Sequence, residues 1–320
     1  MQRFVLQRLI ISVPVLIGVT LLAFVLVNLA PGDPVSAMIS PAERSELGPE
    51  WVELRKEQLG LNDPIVVRYG IWLREIATGN LGYSLISGES IAGQIGARVG
   101  PTVLLMGTVL IVALLLGVPL GILSAVRQYS VLDYVATVFG FLTISTPTFF
   151  LGLGLMYIIA VRLRWLPTSG MRTLGVPESA GDLFKHMVLP VTVLALAHTP
   201  LIMRFARSTM LEVIRQDYVT TARAKGLAER VILIRHAFRN ALIPLITVVG
   251  MGLPELFSGA VITETIFQWP GMGLLTVRAV HARDYPLILG AIMVTATAVL
   301  ISNLIADLLY AAADPRIKYE

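Results

Sequence analysis

The sequence predicts an all-α membrane protein with six transmembrane helices, and three observations carry that fold class. Of the 320 residues, 55% are hydrophobic and only 14% charged, against roughly 25% charged in an average soluble protein. The charges are missing in blocks. Residues 9–32, 99–126, 134–161 and 285–306 carry none, 186–203 carry only His186 and His198, and 240–263 carry the single acid Glu255. Each block meets or approaches the roughly 20 apolar residues that a helix needs to cross a bilayer core of about 30 Å. A soluble globular enzyme is excluded. So is a transmembrane barrel, whose strands alternate polarity over about ten residues.

The spans run approximately over 9–30, 100–126, 134–161, 186–206, 241–263 and 286–308. Met1–Arg8 holds two arginines, as a signal-peptide n-region would. The apolar run that follows exceeds the usual 7–15 residues, and Ala30 leads into Pro31-Gly32-Asp33-Pro34. We therefore read 1–30 as a retained N-terminal segment and first helix. Residues 31–99 form an extracytoplasmic loop, 100–310 a five-helix core and 311–320 a tail. Eight of the 25 basic residues crowd into 204–239; the positive-inside rule puts that loop, and with it both termini, in the cytoplasm. The net charge of +4 thus reflects residues beside a membrane rather than nucleic-acid binding. With no cysteine, a disulfide framework, a thiol nucleophile and a thiolate metal site are excluded.

In the first outer loop, Pro49 and Glu50 open an amphipathic pattern with Trp51, Leu54 and Leu59, stopped by Gly60. A second helix is expected from Pro64 to Thr78, with Val67, Ile71 and Leu73 apolar and Gly79 as terminator. These helices are either a packed cap on the outer face or a docking surface. In the second outer loop, 162–185, Trp165 suits the headgroup level. The third, 264–285, contains Trp269-Pro270-Gly271-Met272-Gly273.

The cytoplasmic loop 207–240 is the most informative stretch. From Ser208 to Lys225 there is no Gly or Pro, and Leu211, Ile214, Tyr218 and Ala222 recur at helical spacing. Gly226 can adopt the left-handed conformation that ends a helix. A second helix follows with Leu227, Val231, Ile234 and Phe238 on one face and Arg235 and Arg239 on the other. Two short helices meeting at a glycine make a knuckle, and the small residues around its bend let a partner approach the backbone. The alternative is a basic helix lying on anionic headgroups, although Glu212, Asp217 and Glu229 interrupt its basic face.

Residues 217–244, Asp-Tyr-Val-Thr-Thr-Ala-Arg-Ala-Lys-Gly-Leu through Arg-His-Ala-Phe-Arg-Asn-Ala-Leu-Ile-Pro, resemble the coupling loop of binding-protein-dependent ABC importer permeases. Within these the chain is similar to the first permease subunit of the dipeptide/oligopeptide/nickel class. The resemblance spans nearly the whole chain: Pro31-Gly32-Asp33-Pro34, Gly82-Tyr83-Ser84, Leu166-Pro167-Thr168-Ser169-Gly170, Glu264-Thr265-Ile266-Phe267-Gln268-Trp269-Pro270-Gly271-Met272-Gly273 and Asp314-Pro315-Arg316 occur in order. The superfamily's Glu-Ala-Ala, three residues, Gly pattern falls on Thr220, Thr221, Ala222 and Gly226, so only the last alanine and the glycine are kept.

The resemblance implies the type I ABC importer permease fold and a bacterial or archaeal inner membrane. It implies that Thr220, Thr221, Ala222, Arg223, Ala224, Lys225 and Gly226 couple the chain to an ATPase. The implied partners are a second homologous permease subunit, two ABC ATPase subunits that carry ATP and Mg, and an extracytoplasmic substrate-binding protein. The implied cargo is a dipeptide or oligopeptide, with nickel or glutathione as alternatives.

Other chemistry is missing from the sequence. There is no Gly-x-x-x-x-Gly-Lys-Ser/Thr loop, no His-Glu-x-x-His and no Gly-x-Ser-x-Gly. We expect no catalytic residues, no metal site and no cofactor on this chain. A stand-alone secondary transporter would show inverted repeats, and none is visible. Polar groups inside spans remain pathway candidates: Glu255, Asn28 and Asn303, each with a local structural reading beside it. Asp307 reads as a cap or ion pair near the headgroups. Pro147, Pro190, Pro200, Pro244 and Pro254 are expected to kink their spans.

Overall fold

A computed structural model describes residues 2–29, 34–39, 41–242, 250, 252, 254 and 260–313. Among the described residues the regular structure is helical, with one isolated antiparallel bridge between Tyr83 and Ser90. In chain order the helices are α1 (Gln2–Leu29), α2 (Pro34–Ala37), α3 (Pro41–Gln58), α4 (Ile65–Ala77), α5 (Ile91–Val126), α6 (Val131–Ser145), α7 (Thr148–Leu155), α8 (Ala180–Ile214), α9 (Asp217–Ala224), α10 (Glu229–Val231), α11 (Val261–Ile266), α12 (Met272–Ala282) and α13 (Tyr285–Ala313). Helices α7 and α10 continue as π-helical Met156–Arg162 and Ile232–Phe238.

Among the described residues, four helices are long and apolar enough to span a membrane: α1, α5, α8 and α13. They correspond to the expected first, second, fourth and sixth spans. Helices α5 and α8 run well beyond their expected bounds, to 36 and 35 residues. Serine caps start α5, α6 and α8: the Ser90, Ser130 and Ser179 hydroxyls accept from the N–H groups of Gly93, Asp133 and Asp182. Pro190 and Pro200 lie inside α8.

The expected third span, 134–161, is not one helix. Helices α6 and α7 with its π-helical continuation meet at a 98° bend. Pro147 has no N–H to extend the ladder, and its ring forces Thr146 out of the helical region to ψ 120°. Most of the expected fifth span, 241–263, lies outside the described residues, as do Glu255 and the Pro31-Gly32-Asp33 and Asp314-Pro315-Arg316 motifs.

The most extensive helix contact is α5 on α8. A Cβ at Gly121 would sit 2.4 Å from the Met203 carbonyl oxygen and 2.6 Å from Ala206 Cβ, so the two backbones touch. Small residues permit such approach where apolar lipid supplies no hydrophobic drive between helices. Helix α1 pairs with α13, and Arg8 Nε lies 3.1 Å from Asp307 Oδ2, the ion pair expected for Asp307.

At the opposite end of the spans, α11 and α12 form a short helix–turn–helix. The fully buried Trp269 donates from Nε1 to the Pro101 carbonyl at 2.9 Å. The fully buried Glu264 accepts from the Thr102 hydroxyl and the Leu274 N–H, both at 3.0 Å, while Thr102 Oγ1 accepts from Met272 N–H at 2.8 Å. A Cβ on Gly271 would lie 2.5 Å from the Glu264 carboxyl. The motif that begins at Glu264 is therefore one buried node on α5. Nearby, Ser84 and Leu85 bond the Asp284 carboxylate.

In residues 41–83 the two expected helices form, the second capped by Pro64 and Thr78 and followed by Gly79 at φ +82°, but the faces they bury differ from the expected ones. Gly48, at φ +74°, breaks α3 in two, and its second segment starts at Pro49. Val52 is buried there and Leu54 exposed. In α4 the apolar residues Val67 and Ile71 are exposed. Tyr69 and Trp72 face inward instead, with ring centroids 5.3 and 6.0 Å from that of Phe24 on α1.

Candidate functional site

The knuckle is built from α9, the turn at Gly226, and α10 with its π-helical continuation. The expected uninterrupted helix from Ser208 to Lys225 breaks at Arg215-Gln216, where Gln216 is extended (φ −72°, ψ 148°). No Gly or Pro marks this break. Tertiary burial accounts for it: turning there brings Val219 and Ala222 against Ile232, and the three form a small buried core. Gly226 takes φ +74°. Its N–H donates to the Arg223 carbonyl at 2.9 Å, and Leu227 N–H to that of Ala222 at 3.4 Å. These bonds close the helix C-terminus.

Arg223 holds the knuckle across the turn. Its Nη2 and Nε donate to the two Glu229 carboxylate oxygens at 2.7 and 3.2 Å. The guanidinium hydrogen bond draws the Glu229 carboxyl below its ordinary value. Both side chains are about half exposed, so the pair contributes at most about 1 kcal/mol to stability. It fixes geometry more than it adds energy.

Six of the seven expected coupling residues, Thr220, Thr221, Arg223, Ala224, Lys225 and Gly226, lie together on the exposed surface of this knuckle. Ala222 does not, being buried in its core. The expected packing face of the second helix also changes. Leu227, Val231 and Ile234 are exposed, while Ile232 and Ala237 are fully buried. Leu227 lies ahead of the helix, and from Ile232 onward the i→i+5 bonding of the π-helix puts Ile232 and Ala237 on one face in place of the stripe that a 3.6-residue period assigns.

The knuckle sits on the ends of α5 and α8. Ala237 and Ala241 pack with Ala125 of α5 and Met210 of α8. Beside this contact Arg207 of α8 donates from Nε and Nη2 to Asp133 of α6 at 2.8 and 2.9 Å. The Tyr129 N–H adds a third bond to that carboxylate at 3.0 Å. The sequence reading missed this pair. Its available signal was Ser130 three residues before Asp133, the spacing of a capped helix start, with Arg204 and Arg207 at the end of an apolar stretch.

The pathway candidates do not converge. Asn28 donates to the Phe24 carbonyl of its own helix at 2.7 Å and lines a cavity of about 340 Å³ with Arg68, Trp72 and Tyr285 at the far end from the knuckle. Asn303 lies exposed on α13, 18 residues beyond Tyr285 and so about 27 Å along the axis. His186 is buried, its Nδ1 3.2 Å from the Gly170 carbonyl and its Nε2 3.3 Å from Thr173 Oγ1.

The family model described as "Binding-protein-dependent transport system inner membrane component" matches residues 117–319, and the N-terminal model of such components matches 1–105. The chain is 45% identical to a putative peptide permease protein of Brucella suis over 99% of both chains. It is 41% identical to an oligopeptide transport system permease protein of Bacillus subtilis over the full length of both. Among solved structures, an inward-facing methionine ABC transporter matches with a TM-score of 0.55 at 15% identity, covering 69% of this chain and 96% of that one.

Proposed function

Given that the chain belongs to the family of binding-protein-dependent transport system inner membrane components, we propose that it is the peptide-translocating permease subunit of an ATP-driven importer. Full-length similarity to peptide and oligopeptide permeases is the observation that carries this reading. The chain contributes six spans with both termini in the cytoplasm. A second, homologous permease subunit completes the pathway, and an extracytoplasmic binding protein delivers the cargo. Two separate ATPase subunits hold ATP and Mg and do the hydrolysis.

Thr220, Thr221, Arg223, Ala224, Lys225 and Gly226 meet an ATPase cleft, and Ala222 supports them from beneath. The geometry suits that task. Coupling between distant sites needs an element with few internal degrees of freedom that both sites bias. The knuckle has its own core, a cross-turn ion pair and a seat on α5 and α8. Closure of the ATPases would push it, and the backbone contact at Gly121 and the Asp133–Arg207 pair would pass the displacement to three helices at once.

The test is uptake by the complete transporter in proteoliposomes, with binding protein outside and ATP inside. Labelled di- and oligopeptides should accumulate only with ATP. Accumulation of glutathione or a nickel complex in their place would replace the cargo, and uptake without ATPase subunits would replace the mechanism.

A further inference from the structure

We infer that α4 is an interfacial helix whose exposed Ile65–Ile71 face rests among lipid acyl chains in the leaflet at the end of the spans opposite the knuckle. The depth at which α4 is anchored carries this. The Tyr69 hydroxyl donates to the Ile17 carbonyl at 3.2 Å and lies 3.0 Å from Thr20 Oγ1, with its ring edge-on to Phe24. Helix α1 continues to Leu29, so these contacts fall about 8–18 Å short of its end at 1.5 Å per residue. Measured the other way, Phe24 is 16 residues from Arg8, about 24 Å. A hydrocarbon core of about 30 Å that starts near the Arg8–Asp307 pair therefore includes every one of these anchor points.

The surface that α4 turns away from α1 suits that depth. Val66 is 77% exposed and Ile71 54%. Over the same stretch α1 exposes Leu22 and Leu26, so two apolar surfaces lie at one level. Two of the helix's charges are engaged elsewhere. Arg68 sits over the Phe24 ring at 5.9 Å and donates to the Leu61 carbonyl at 3.4 Å, and Glu75 accepts from Asn80 at 2.8 Å. Arg74 follows one turn after Ile71, where a long apolar stem lets a guanidinium reach headgroup phosphates. An amphipathic helix with this arrangement lies in the interface, its apolar face a few ångströms into the acyl region. The inference needs only that α1 crosses the membrane; it does not depend on the cargo or on the coupling role of the knuckle.

The chain has no cysteine, so single-cysteine labelling is free of background from it. The assembled transporter, with its other subunits made cysteine-free, would be reconstituted in phospholipid nanodiscs. Val66→Cys and Ile71→Cys would carry an environment-sensitive fluorophore, with Leu22→Cys as the lipid-facing reference and Glu89→Cys as the aqueous one. All four positions are exposed, and retained transport by each variant reports that it folds. Nitroxide-labelled phospholipid should remove most of the emission at positions 66 and 71, as at 22, and aqueous iodide little; position 89 should behave oppositely. Iodide quenching at 66 and 71 would overturn the inference in favour of a water- or binding-protein-facing surface. Quenching by neither agent would overturn it in favour of a cover supplied by the second permease subunit.

Discussion

At Glu264 the carboxyl is fully buried and holds two groups of the α12 N-terminus in place, directly at Leu274 and through Thr102 at Met272. Glu264→Ala leaves the Leu274 N–H and the Thr102 hydroxyl without their acceptor. Each buried unpaired group costs about 1–3 kcal/mol, so the variant should show a markedly lower unfolding temperature in detergent, with Glu264→Gln between it and the wild type. Burial raises this carboxyl above its ordinary value, against opposing hydrogen bonds from Leu274, Thr102 and Gly273. The sign follows from linkage: a raised folded value means the native chain holds the proton more tightly than the unfolded one. The stabilisation is then complete at low pH and fades as pH rises through the raised value. Scans of unfolding temperature against pH should show that fade in the wild type and not in Glu264→Gln. The sequence showed this residue only as part of a motif. Its burial was not readable, since a glutamate in a Gly/Pro-rich loop has the local appearance of a solvated turn.

Helices α5 and α8 were legible as apolar segments, while their length and mutual contact were not. Hydropathy marks where charge is absent; it does not mark the polar turns by which a helix continues past the bilayer, nor which glycine meets a neighbour's backbone. Gly121→Leu should force α5 off α8, and a steep loss of folded protein on size-exclusion chromatography would follow, whereas leucine at the exposed Gly154, with open space around it, should have little effect. The broken span is the clearest departure from a uniform six-helix picture. Pro147 announced a kink, yet not the size of the turn, 98°, across which both α6 and α7 pack against α8. The Asp133–Arg207 pair ties those two helices beside the knuckle. Asp133→Asn should therefore loosen the transmission itself. The assembled transporter would hydrolyse more ATP per peptide moved, while a purely structural defect lowers both rates in proportion.

At the scale of the whole molecule, the all-helical membrane character and the location of the knuckle followed from where charge was absent and where it clustered. The knuckle's inner side did not follow, because a π-helical register and a break without Gly or Pro leave no compositional trace. Two outcomes test its role. Ala224→Cys should cross-link to a cysteine placed in the cleft of an ATPase subunit. Replacing 219–226 with an unrelated helix should abolish transport while leaving subunit expression intact, and full transport by that variant would remove the coupling assignment. A last consequence concerns leverage. Helix α5 is 36 residues long, about 54 Å, and its closest contact with α8, at Gly121, lies five residues from the knuckle end. If the joined pair tilts about that contact, the long arm to Ile91 is about 45 Å and the short arm about 8 Å. A push of under 1 Å at the short arm then swings the far end by about 4 Å, roughly a 5° rotation. The knuckle would have to travel very little to displace the far end of the pair.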